Sequence, residues 1–97
     1  MIDLFTGNAA EDNVTRAHLA AIALEAFGAE TGQKYIDPDG TLQVEREILE
    51  EIGGDLLADL FHLVRRSGYT PDLVISAGLR HFEAEVEEEE AEEVEED

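Results

Sequence analysis

Two short runs of this chain carry side chains suited to metal or acid–base chemistry. Asp55, Asp59 and His62 are spaced four and three apart, and His81 and Glu85 are four apart. On a helix such spacings place side chains on one face. Carboxylates and imidazoles that converge from two helices are how helical bundles hold divalent cations. Asp55, Asp59, His62, His81 and Glu85 are therefore the candidate metal ligands, with magnesium or another divalent ion as the candidate cofactor. The same residues also read as a solvated face with local pairing of His62 or Asp59 to Arg66. A further set, Glu47, Glu51, Asp55 and Asp59, forms a ladder only if one helix runs through Gly53 and Gly54. Acids at spacing four repel one another unless a cation sits among them.

Other chemistry finds little footing. Cysteine is absent, which excludes disulfides, zinc–thiolate centres and thiol nucleophiles. Ser67 and Ser76 have no glycine-elbow context, and no catalytic residue is assigned. Gly53-Gly54 lacks the lysine and spacing of a phosphate loop, so no cofactor-binding residue is assigned either. Arg65, Arg66 and Arg80 are too few for a nucleic-acid reader. The charge also opposes phosphate: 25 acids against 6 bases give −19. From Glu83 to Asp97 there are eleven acids and no base, while the remainder carries fourteen acids and all six bases. Such a chain suits a basic protein partner or a cation, and does not suit nucleic acid or anionic lipid.

The 97 residues allow one domain, and an apolar fraction of 43% argues for a folded body. The first helix is expected to start at Asn13 or Thr15 and reach about Glu30, with Thr31-Gly32 as its stop. Before it, Met1 to Asp12 reads as an arm that docks through Ile2, Leu4 and Phe5. Asp37-Pro38-Asp39-Gly40 is a turn, preceded by a short extended segment at Tyr35 and Ile36. Helical period returns from Leu42 to Ile52. Adjacent glycines cost a helix roughly 2 kcal/mol relative to alanine, so Gly53-Gly54 is expected to break or kink it. Asp55 then caps a helix that Gly68 ends, and Thr70-Pro71-Asp72 opens the last one. That helix is expected to stay ordered to about Val86. The fold class is all-α: a bundle of three to four helices over 1–86, followed by a disordered acidic tail over 87–97.

The apolar faces suggest assembly. Leu56, Leu57, Leu60, Phe61, Leu63 and Val64 gather on one side of their helix, opposite Asp55, Asp59, His62 and Arg66. In the last helix Ile75, Leu79, Phe82 and Val86 form a stripe at the same period. The first helix is apolar nearly all round: Leu19, Ile22, Ala23 and Ala26 oppose Ala17, Ala20, Leu24 and Phe27. A small body cannot cover both sides, which predicts a homodimer, or a partner protein, packed on the first helix.

Two resemblances enter on these residues. The stretch Glu50-Glu51-Ile52-Gly53-Gly54-Asp55-Leu56-Leu57-Ala58-Asp59-Leu60 resembles the Glu-Glu-Leu-Gly-Asp segment of MazG-type all-α nucleotide pyrophosphohydrolases, with one glycine more. That resemblance implies a magnesium-dependent nucleotide hydrolase. The run from Asp55 to His62, with Gly68 and then His81-Phe82-Glu83-Ala84-Glu85, is similar to small helical phage and prophage proteins. It implies an origin in a mobile element and no particular chemistry. The function expected overall is an acidic helical protein-interaction module, in sharper form a phage-derived inhibitor or DNA mimic of a basic host protein. No apolar run approaches the roughly 20 residues of a membrane span, and no basic-then-apolar leader is present, so the expected location is cytoplasmic.

Overall fold

The computed structural model describes residues 1–33 and 40–95, of which 94 and 95 enter as backbone only. Every regular element among them is helical: α1 (Ala9–Thr31), α2 (Arg46–Ile48), a π-helical turn (Leu49–Gly53), α3 (Gly54–Arg66) and α4 (Asp72–Glu95). The expected turn at 37–39 and extended segment at 35–36 lie outside the described residues. None of the described helices is long and apolar enough to cross a membrane. The chain divides into two compact units, Met1–Ala17 with Pro71–Asp97, and His18–Thr70.

In the first unit, α1 starts earlier than its sequence suggests. Asn8 is the cap: its Oδ1 accepts the backbone N–H of Glu11 at 3.0 Å, and its carbonyl accepts that of Asp12. Thr15 cannot cap, because its hydroxyl already donates back to the Glu11 carbonyl. Asn13 instead reaches across to α4. Its Nδ2 donates to the Glu85 carbonyl and to Glu89 Oε1, both at 3.1 Å. Ala9 lies against Glu92 and Asn13 against Glu89, so the two helices run antiparallel here. These bonds explain why α4 continues through Glu95 where fraying was expected from 87. Its glutamates have backbone and amide partners on α1.

In the second unit, the helix does not break at the paired glycines. Gly53 and Gly54 both have right-handed helical angles, and α2, the π turn and α3 follow without interruption. An α-helix overshoots a full turn by about 40° every four residues. Ile48, Ile52, Leu56 and Leu60 are spaced by four, and a wider turn in their midst keeps such a row facing one neighbour. Two residues without side chains weaken the competing α-helical preference at that point. The result seats Ile52 (4% exposed) on Leu24, with Ala21, Phe27, Val44, Ile48 and Leu56 packed around them. The helix closes as expected at Gly68, whose φ of 93° only glycine adopts without cost. Tyr69 N–H donates to the Val64 carbonyl and Gly68 N–H to that of Arg65, a Schellman pair of bonds. Pro71 then opens α4, its carbonyl accepting the N–H groups of Val74 and Ile75.

Candidate functional site

The five candidate ligands fall in different units. Asp55, Asp59 and His62 are exposed on α3 in the second, while His81 (exposed) and Glu85 (half-buried) stand on α4 in the first. Asp55 is held from outside its helix, its Oδ2 accepting Gln33 Nε2 at 2.7 Å. Among the described residues Arg66 pairs with neither Asp59 nor His62; the ion pairs are Arg16–Glu85 and Arg46–Glu50. No group of three or more His, Asp or Glu side chains able to hold a metal ion occurs among the described residues. The ladder acids Glu47, Glu51, Asp55 and Asp59 do share one uninterrupted helical run, the condition their alignment requires. All four are exposed.

The polar centre of the first unit is a residue that spacing did not single out. Arg16 Nη2 donates to the Leu4 carbonyl at 2.8 Å and Nη1 to Asn13 Oδ1 at 2.9 Å. Its Nε lies 3.2 Å from Glu85 Oε2, and its guanidinium stands 5.5 Å from the centre of the Phe5 ring. One planar fork thus ties the N-terminal arm, α1 and α4 together. Glu85, read as a metal ligand, serves here as the counter-charge of that fork. A second strap lies beside it: Thr6 N–H and Oγ1 donate to the two carboxylate oxygens of Asp12, at 3.0 and 2.7 Å. Asp12 is only 5% exposed, and these bonds offset its loss of water. The arm is held by these polar contacts. Of Ile2, Leu4 and Phe5, expected to dock it, Leu4 is half-buried while Ile2 and Phe5 remain exposed.

What the two units leave open is apolar. Beyond the Leu24–Ile52 contact, α3 exposes Leu57, Leu60 and Leu63, and α1 exposes Ile22 on the side away from Leu24. On α4, Leu73, Ile75, Leu79 and Phe82 are exposed. Among the described residues no large side chain is fully buried. Of the apolar residues expected on the first helix, Leu24 is buried and Leu19 and Phe27 are half-buried, while Ala17, Ala20, Ile22, Ala23 and Ala26 remain exposed. A cavity of about 400 Å³ lies beside the α4 stripe, lined by Asn13, Arg16, Ala17, Phe82, Glu85, Val86 and Glu89. Neither a family model, nor a curated protein, nor a solved structure matches the chain.

Proposed function

We propose that this chain is an acidic helical interaction protein of the cytoplasm that works as a homodimer and binds a basic partner. The observation that carries the reading is the exposed side of α3, where Leu57, Leu60 and Leu63 stand open while Asp55 and Asp59 lie on the far side. Open apolar surface of this kind marks contact with another protein. A second copy covers this side without burying charge, because Asp55, Asp59, His62 and Arg66 are turned away from it, and a two-fold axis sets the two leucine rows against each other. The outer side of α1, with Ile22, Ala23 and Ala26 exposed, is a second surface for a partner protein. The similarity to small phage proteins fits an inhibitor or DNA mimic that occupies the basic groove of a host protein.

Sedimentation of the wild type and of a Leu60→Gln, Leu63→Gln variant tests the dimer. Both side chains are exposed in one chain, so their replacement leaves the protomer folded. The reading expects a dimer that the variant turns into monomer; a wild-type monomer at tens of micromolar would end it.

One observation favours a second reading, the magnesium-dependent nucleotide hydrolase implied by the MazG-type segment. The helix carries Glu47, Glu51, Asp55 and Asp59 without interruption across the two glycines. Acids in such a row are relieved by a divalent cation among them.

A further inference from the structure

We infer that the exposed stripe of α4 is a docking surface for a basic amphipathic helix of another protein, in addition to the α3 contact between copies. The proposal rests on the interaction reading but uses a different face. Ile75, Leu79, Phe82 and Val86 recur at helical spacing over about 17 Å of helix, roughly three turns. Leu79 is 55% and Phe82 62% exposed, and the cavity of about 400 Å³ opens beside Phe82 and Val86. An apolar row next to a hollow that admits a large side chain is the form of a surface that receives a helix.

Charge decides which helix. At about 100° per residue, Glu85 and Glu89 border the stripe on one side, and Glu83 and Glu90 on the other. Glu85 and Glu89 are already engaged by Arg16 and Asn13. Glu83 and Glu90 make no ion pair among the described residues. Arg80, the nearest cation along α4, lies farther round the helix from the stripe than either of them. Glu85 is compensated by Arg16, so the uncompensated acids are Glu83 and Glu90 on one border and Glu89 on the other. A second copy of α4 laid here would bring these carboxylates against their own kind, which opposes self-association at this face. A helix with its own apolar row flanked by lysines or arginines meets opposite charge at Glu83 and Glu90, and at Glu89 across the stripe. That border separates this stripe from the leucine side of α3, whose acids lie on the opposite face.

The test uses the full chain and three synthetic 18-residue peptides. The first has a leucine row flanked by lysines, the second the same row flanked by glutamates, and the third the first one's composition shuffled to destroy the row. Fluorescence anisotropy in low salt is expected to show binding of the first peptide alone. Leu79→Ser with Phe82→Ser should weaken it at least tenfold, and Glu83→Lys with Glu90→Lys about tenfold, with circular dichroism showing each variant folded. Equal binding of the shuffled peptide, or an affinity unmoved by the Leu79, Phe82 variant, overturns the proposal. So does sedimentation in which that variant, and not the α3 variant, dissociates a dimer, because a second copy then covers the stripe. Loss of the dimer in the α3 variant with peptide binding retained supports both readings separately.

Discussion

Glu92 sets both oxygens of its carboxylate within 2.9 and 2.7 Å of the backbone N–H of Ala9, across 83 residues of sequence. The first N–H groups of a helix have no partner within it, and the helix dipole makes that end favourable to negative charge. A glutamate near the end of α4 thus completes the start of α1. Glu92→Ala is expected to cost about 1 kcal/mol. For a domain of this size that is a fall of roughly 4–8 °C in Tm, read by circular dichroism. Glu93→Ala, at an exposed neighbouring position, should change little and serves as the control.

Removal of residues 91–97 should give the same loss by the same route. A disordered acidic tail, as expected over 87–97, would be dispensable for folding. The bond from Ala9 makes the opposite outcome the expected one. An unchanged Tm after truncation would show that the contact contributes nothing in solution.

Arg16→Ala removes a guanidinium that serves Leu4, Asn13, Glu85 and the face of Phe5 together. The side chain is 19% exposed, so its bonds are partly shielded from water. A loss of about 1.5–3 kcal/mol is expected, since hydrogen bonds to charged groups carry that weight. Arg16→Lys keeps the charge but not the fork and should recover only part of it. Limited proteolysis should cut the arm near Leu4 and Phe5 sooner in both variants.

Gly54→Ala should stabilise the protein. Gly54 has ordinary right-handed angles, and a Cβ built on it meets nothing within 4 Å. Gly53 is similar, its nearest contact being Leu49 Cδ1 at an ordinary 3.9 Å. Each exchange should add about 0.4–1 kcal/mol, through lost freedom of the unfolded chain and higher helix preference. A fall in Tm for Gly54→Ala would mean that the wide turn depends on glycine there.

Salt and metal separate the charge effects. The last turn of α4 holds no base, and its glutamates recur at spacings of three and four. Screening by 0.5 M sodium chloride should therefore raise helicity and Tm; a lowered Tm would mean that the Arg16 and Arg46 pairs outweigh the repulsion. Magnesium at low millimolar concentration should add nothing beyond its ionic strength under the interaction reading. A larger rise that Glu51→Gln with Asp55→Asn abolishes would favour the hydrolase instead.

Composition and period made the all-helical class readable, and the end of α3 could be placed because Gly68 offers a backbone that other residues resist. The start of α1 was misread for a local reason: Asn8, Asn13 and Thr15 are all good caps, and their side chains are spent on different partners. The persistence of α4 was hidden because a run of glutamates looks solvated until Asn13 and the Ala9 N–H are known to face it. Arg16 went unnoticed because its four partners lie at Leu4, Phe5, Asn13 and Glu85, a set no periodicity links. Asp55, Asp59 and His62 lie on α3 and His81 and Glu85 on α4, and spacing along a helix carries no information about what stands opposite a face.

The wide turn between Leu49 and Gly53 has a consequence for how this chain tolerates change in length. A π turn accommodates one residue more than the α-helical repeat holds, so the helix from 46 to 66 contains a joint where a residue can be gained or lost without breaking the rod. Deletion of Gly53 would let the segment relax to a plain α-helix. Because the wide turn spreads one more residue over nearly the same rotation, everything after it would keep its facing. Ile52, Leu56 and Leu60 would still address the neighbours they address now. The position acts as a slack link that takes up a change in length without turning the outward face of α3.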